Sequence, residues 1–282
     1  MRVLLVPNTA NPPALAAATE IAAWLVGLGL EPALTAEDAD AAGLAGFAVS
    51  PSDLGDPALV VALGGDGTIL KAVHILGEIE APILGVNFGR LGFLSGARAE
   101  HAREAIESAL AGEARIERRV TLRVDLVMEG RSVGTYRALN EVFFGRGVSG
   151  RVVTVEIFVD GGRVMRFNGD GVVVATSTGS TAYALSAGGP IVAPDVAGLV
   201  VVPVAPHTLT ARPLVVGPSA VIEIELPDPA RSDACLTIDG DHVPCRQRID
   251  RVTVTQGAVD VTLVRLDGRE FFDVVAEEFF GG

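Results

Sequence analysis

Residues 58–76 read ALVVALGGDGTILKAVHIL. The apolar run from Ala58 to Leu63 has the length of a buried strand, and Thr68 to Leu76 carries apolar side chains at helical spacing. Between them stands Gly64-Gly65-Asp66-Gly67-Thr68. A strand that passes through glycines into a helix lets its backbone approach a ligand closely and offers the free N–H groups of the helix N-terminus to an anion. The stretch therefore predicts a β-α unit with a phosphate cradle at its turn. A carboxylate beside a phosphate makes sense as a base or a metal ligand, so Asp66 is the candidate reactive group. The alternative is that Asp66 caps the following helix.

The same rhythm extends through the N-terminal part of the chain. Val3 to Val6 reads as a strand, Ala14 to Leu28 as a helix with Leu15, Ile21, Ala22 and Leu25 at helical spacing, Pro82 to Val86 as a strand and Glu100 to Leu110 as a helix. Residues 36–52 are rich in Ala, Gly and Asp and fit neither period. Alternating strands and helices predict β-α-β units and a parallel sheet. From Val120 onward the period changes to two. TLRVDLVM, RVVTVEIFVD, VVVAT, LVVVPV, AVIEIEL, CLTIDG, RVTVTQG and VDVTLVRL are short strands divided by Gly, Pro and Asp turns, which predicts an antiparallel, sandwich-like all-β domain. The expected organisation is an α/β domain over 1–117 and an all-β domain over 118–267. The closing REFFDVVAEEFF reads as either helix or strand, and 268–282 is a candidate to pack back on the first domain.

With 282 residues, 49% of them hydrophobic and 20% charged, the chain has material for a two-domain core. Its formal charge of −13 argues against a general nucleic-acid or anionic-membrane surface, which needs clustered Lys and Arg. Lys71 is the only lysine. Cys235 and Cys245 form no C-x-x-C pair, and the apolar run in MRVLLVPNTA stops at Pro7, far short of the roughly 20 residues of a membrane span. The expectation is a cytoplasmic protein acting on small molecules, without nucleic-acid or membrane partners.

Two further stretches carry chemistry. In Asp170-Gly-Val-Val-Val-Ala-Thr-Ser-Thr-Gly-Ser-Thr-Ala-Tyr183 a buried strand runs into hydroxyl side chains and an apparent helix; those hydroxyls suit either phosphate and sugar oxygens or helix capping. Asn140-Glu141, after the turn-like GTYRAL, offers an adjacent amide and carboxylate for a sugar or carboxamide, or simply a solvated strand edge. Residues 145–150, GRGVSG, fit G-x-G-x-x-G but precede a strand, so they read as a hairpin or loop. His74 with Glu78 and His101 with Glu104 lack the second histidine of a metal helix. There is no P-loop, protein-kinase signature or G-x-S-x-G elbow.

Taken in order, GGDGT, Asn140-Glu141, DGVVVATSTGSTAYALSAGGP and VPVAPHTLTARPL resemble the bacterial NAD kinase family, from about Val60 through Gly257. The resemblance implies an NAD kinase/diacylglycerol kinase-like fold. It also implies phosphoryl transfer from ATP, or inorganic polyphosphate, to the 2′-hydroxyl of the adenosine ribose of NAD, with Mg²⁺ held mainly by the donor phosphates. On this resemblance Asp66 accepts the hydroxyl proton, with Gly67 beside it. Lys71 falls where the family has a basic ligand residue, and Asn140 and Glu141 hold the dinucleotide. Arg151 matches a basic position that reaches a neighbouring subunit's site in a homodimer or homotetramer. Asp170 with Thr181, Ala182, Tyr183, Ala184, Leu185 and Ser186 lines the NAD pocket, and Ala205 and Gln247 complete it. Two positions depart from the pattern: Ser177 stands where Pro is common, and Asn168 where basic residues occur in some relatives and bear on the choice between NAD and NADH. The rival readings are a lipid or sugar kinase sharing the GGDGT loop and a non-catalytic NAD(P)-binding regulator.

Overall fold

The structure, a computed structural model, describes residues 1–89, 92–148, 150–227, 234–244, 249–266 and 268–281. The chain divides into two compact units, Met1–Arg118 with Val261–Gly282, and Arg119–Asp260.

In the first unit an eight-stranded sheet runs in the order Ala48–Val49, Glu31–Thr35, Arg2–Pro7, Leu59–Leu63, Pro82–Asn87, Val261–Arg265 and Arg115–Arg119, with Ala97–Arg98 paired to Pro82–Asn87. The strands from Ala48–Val49 through Val261–Arg265 pair in parallel. Arg2–Pro7 and Leu59–Leu63 are almost wholly buried, as parallel strands covered on both faces require. Helix Pro12–Gly27 opens on two prolines, whose φ is already helical, and turns Ala14, Ala18, Ile21, Ala22 and Leu25 onto the sheet. The sequence leaves residues 36–52 ambiguous; there Thr35 Oγ1 accepts the N–H of Asp38 at 3.2 Å and starts the short helix Ala36–Ala41.

VDVTLVRL belongs to this unit and not to the β-domain that its alternation suggested. Leu263 pairs in parallel with Ile83, so the chain returns to the first unit at Val261 rather than at residue 268. Period two is shared by every half-buried strand, and only pairing reveals the sheet it joins. The closing segment is helical, Phe271–Val275 continuing as a π-helical stretch over Ala276–Phe280.

The second unit contains two six-stranded sheets whose pairings are antiparallel. One sheet holds Glu141–Arg146, Gly171–Ala175, Leu199–Val204 and Ala234–Ile238; the other holds Leu122–Met128, Arg131–Ala138, Val153–Val159 and Ile249–Gln256. Their inner faces supply one core, to which the first sheet gives Val142, Phe144, Val172 and Val174 and the second gives Val124, Ile157 and Val252. GTYRAL, expected as a turn, lies mostly within the strand Arg131–Ala138. The outer face of Gly171–Ala175 is also covered, Val173 and Ala175 packing with Val200, Val202 and Ala184. Burial on both sides explains why VVVA is continuous rather than alternating.

Candidate active site

In the first unit the sheet order turns back between Arg2–Pro7 and Leu59–Leu63, the point at which open α/β sheets bind ligands beyond the carboxyl ends of their strands. The GGDGT loop leaves the sheet there. Its glycines are not equivalent. A Cβ on Gly64 would lie 2.1 Å from Thr68 Oγ1 and 3.0 Å from Asn8 Cβ, so packing within the chain demands this glycine. A Cβ on Gly65 or Gly67 would meet nothing within 4 Å, which leaves the ligand-facing reading to these two.

The helix spans Asp66–Leu76 and begins two residues earlier than periodicity suggested, with Gly65 at its cap and no side-chain cap bond. Asp66 is therefore inside the first turn, and its carboxylate is turned elsewhere. The N–H groups of Phe93 and Leu94 donate to it at 2.9 and 3.2 Å, and the Ser95 hydroxyl at 3.4 Å. A Cβ on Gly92 would come within 2.6 Å of the same carboxylate, so that glycine makes room for it. Burial pushes the Asp66 pKa above the usual range, while these donors and the Arg265 guanidinium oppose the rise. A carboxylate offers about four lone-pair positions, of which three are occupied here, leaving one for an incoming hydroxyl. Lys71, read as a ligand cation, makes an ion pair with Asp38, whose side chain is fully buried. Its charge is thus engaged inside the unit.

In the second unit the Asn140-Glu141 turn is held from two sides. The carboxylate of Asp239 accepts the N–H groups of Leu139, Asn140 and Glu141 at 2.7, 2.7 and 3.0 Å. On the other side the N–H of Thr176 donates to the Asn140 carbonyl at 2.9 Å and the Thr176 hydroxyl to the Leu139 carbonyl at 2.6 Å. The Glu141 carboxylate accepts the N–H of Tyr183, and burial, with Asp239 nearby, raises its pKa from the usual 4.5 to about 7. Its Oε2 has no hydrogen-bond partner among the described residues. The Tyr183 ring stands edge-on to Phe143 with centroids 5.7 Å apart and is 41% exposed. Beside it Arg146 pairs with Asp170 at 2.9 Å. Glu141, Tyr183, Asp170 and Arg146 thus form one cluster.

The hydroxyl run makes bonds within its own loop. Ser177 donates to the Val196 carbonyl, Ser180 to that of Ser177 at 2.7 Å and Thr181 to that of Thr178 at 3.3 Å, while Arg119 donates to Thr178 Oγ1 at 3.4 Å. These hydroxyls build the loop. Gly171 and Gly179, in the same stretch, are likewise demanded by neighbouring backbone rather than by open space. Ser177 uses its hydroxyl for a bond that a proline at this position would lack.

Of the remaining candidates, Ala184 is fully buried and packs with Val173, Ala175, Val200 and Val202. Thr181, Ala182 and Leu185 are half-buried and Ser186 is exposed, all on the segment that carries Tyr183. Ala205 is exposed and adopts φ +44°, a conformation unfavourable for a residue with a Cβ. The Asn168 side chain accepts from the Thr154 hydroxyl at 2.7 Å, Arg151 is exposed, and Gln247 lies outside the described residues. Sequence reasoning missed Asp239, Arg146 and Arg265. The Asp239-Gly240 turn was a visible signal for the first; the other two are arginines in strands, with no local mark of their role.

Residues 48–114 match the ATP-NAD kinase N-terminal domain and residues 139–266 the ATP-NAD kinase C-terminal domain. An NAD kinase from Geotalea daltonii is 34% identical over 274 residues, covering 97% of this chain and 96% of that protein. The chain belongs to the NAD kinase family. It is an enzyme of that family. Among solved structures, yeast NADH kinase complexed with NADH is 26% identical with a TM-score of 0.89, covering 100% of this chain and 87% of that one. The NAD kinase from Archaeoglobus fulgidus in complex with ATP is 27% identical with a TM-score of 0.72, covering 100% and 98%.

The buried Glu141 of this NAD kinase family member makes stability depend on pH. With its pKa raised from 4.5 to about 7, the folded chain keeps a proton that the unfolded chain releases across that interval. The stabilisation is fully present below about pH 4.5 and is lost as pH rises through about 7. At about 1.4 kcal/mol for each factor of ten in proton affinity, the loss is at most about 3.5 kcal/mol. Urea unfolding at about pH 5 and about pH 8 is expected to show this fall in the wild type and little of it in Glu141→Gln. Equal falls in both proteins would assign the dependence to other groups.

Proposed function

We propose that this chain phosphorylates the 2′-hydroxyl of the adenosine ribose of NAD, giving NADP, with ATP or inorganic polyphosphate as donor and Asp66 as the base. The observation that carries the assignment is the Asp66 carboxylate: buried at the first turn of the helix behind the glycine loop, anchored by three donors and left with acceptor capacity. A ribose hydroxyl is a weak nucleophile at neutral pH, and a carboxylate on its proton removes it as the new P–O bond forms. Burial strengthens that base by raising its proton affinity. The N–H groups at the start of helix Asp66–Leu76 suit the donor phosphates. The dinucleotide is assigned to Asn140, Glu141, Asp170 and the Tyr183 segment, where a carboxylate oxygen without a partner among the described residues and a half-exposed ring suit a ribose hydroxyl and a base face.

Magnesium enters with the donor. Its ligands are assigned mainly to the donor phosphates. When bound, the ion supplies neutralisation of phosphate charge. Arg151, exposed on its loop, is assigned to contact with a second copy in a homodimer or homotetramer, which light scattering tests. No described helix is long and apolar enough to cross a membrane.

The test is incubation with NAD or NADH, Mg²⁺ and either ATP or polyphosphate. Formation of NADP or NADPH is the expected result, and the four combinations establish donor and acceptor preference. No product in any of them would overturn the assignment.

A further inference from the structure

We propose that Arg265 is a positioning residue for Asp66, clamping the Phe93–Ser95 segment that holds the catalytic carboxylate. The inference rests on the assignment of Asp66 as the base. Arg265 ends the returning strand Val261–Arg265 and is 4% exposed. Its guanidinium donates to the Phe93 carbonyl at 3.1 Å and the Ser95 carbonyl at 2.9 Å. The opposite edge of the same three residues faces Asp66, through the N–H groups of Phe93 and Leu94 and the Ser95 hydroxyl. A single guanidinium nitrogen, Nη1, therefore bridges the two ends of the segment whose donors orient the base.

Other contacts keep the segment from moving independently of Arg265. The Gly96 N–H donates to the Gly85 carbonyl at 2.9 Å, and the Leu266 N–H to the Gly96 carbonyl at 3.2 Å. A Cβ on Gly96 would stand 2.0 Å from the Val264 carbonyl oxygen, a measure of how closely the segment lies on the returning strand. The Phe93 ring stacks on Phe279 at 6.0 Å and meets Phe271 at 5.9 Å, so the C-terminal helix holds its side chain as well. The guanidinium stays charged at every working pH, so both carbonyl bonds persist across the range. Arg265 also acts through space: among the described residues it is the charged group whose field reaches Asp66, the other contacts being the donors already named. The guanidinium thus fixes the geometry of the base and favours its ionised form.

The experiment compares Arg265→Met, Arg265→Lys and Asp66→Asn, alone and combined, by kcat, KM for NAD and ATP, the pH profile of kcat and thermal unfolding. Arg265→Met is expected to lower kcat about ten- to a hundred-fold, the scale of a small misplacement of a reacting group, with both KM values within about three-fold. Its acid limb is expected to move to higher pH, because loss of the cation raises the proton affinity of Asp66. Arg265→Lys is expected to bring the limb back and restore part of kcat. On the Asp66→Asn background, Arg265→Met is expected to add less than about two-fold, since the base it positions is gone. Unchanged kcat and limb in Arg265→Met, or an undiminished further loss on the Asp66→Asn background, would overturn the proposal. If Arg265→Met does not fold, Arg265→Lys decides: intermediate kcat with native unfolding supports the clamp, and wild-type kcat overturns it. Full activity in Asp66→Asn would instead remove the base assignment itself, whatever Arg265 does.

Discussion

Asp66→Asn is expected to lower kcat by roughly 10²- to 10⁴-fold, the range attributed to general base catalysis, while the protein stays folded. The amide has nearly the shape of the carboxylate, and its single oxygen can still accept from Phe93 or Leu94, the donors at 2.9 and 3.2 Å. It cannot take a proton from a hydroxyl. Stability supplies a second, independent signature. Because burial raises the Asp66 pKa, the stabilisation from this group is fully present below its usual value of 3.8 and is lost as pH rises through the folded value. A neutral side chain is free of that loss, so stability is expected to fall less with rising pH in Asp66→Asn than in wild type, whatever constant cost comes from setting one backbone N–H against the amide NH2. Turnover within about three-fold of wild type would assign Asp66 to structure and not to proton transfer.

The second large effect is expected at Gly179. Its added Cβ would lie 2.0 Å from the Asn140 carbonyl oxygen, 2.4 Å from the carbonyl carbon and 2.8 Å from the Cα. All three are backbone atoms, and the turn they belong to is tied by Asp239 on one side and Thr176 on the other. Neither partner can yield cheaply. Overpacking usually costs about 1–3 kcal/mol, and a backbone collision of this kind is expected to reach or exceed about 3 kcal/mol in Gly179→Ala. Movement of the loop would also pull the Tyr183 N–H from Glu141 and displace both proposed dinucleotide contacts. Where the variant folds, KM for NAD is expected to rise about ten-fold or more, with KM for ATP little changed. A melting temperature and both KM values equal to wild type would show that the two segments separate without consequence.

Much of this protein was legible before any contact was known. The strand, glycine turn and helix over 58–76 are local events: an apolar run, residues that tolerate unusual backbone, and a helical period. The alternation of strands and helices in the first unit and the β-rich character of the second were legible from the apolar period and its change near Val120. The candidate site was legible as residue types, since Asp66, Asn140, Glu141, Asp170 and Tyr183 stand in recognisable short patterns. Their partners were not. The serines and threonines of TSTGST carried two readings of equal standing, and the carbonyls that accept from Ser177, Ser180 and Thr181 could not be named from that run. Lys71 drew notice as the lone lysine, yet its engagement depends on Asp38, in the stretch that composition left ambiguous.

What the sequence determined by itself is the strand, glycine turn and helix over 58–76, the two-part organisation and the family to which the motifs belong, because each rests on spacing within a few residues or on the order of such spacings. Tertiary structure alone decided that Asp66 is anchored by a segment 27 to 29 positions away and that Arg265, 172 positions beyond Phe93, grips that segment. It also decided that Asp239 ties down Asn140 from 99 positions away. Local pattern reports the conformation a stretch prefers. The field, the hydrogen-bond donors and the packing that tune a carboxylate come from chain segments brought together by the hydrophobic core, and their identity is written nowhere near the residue they control.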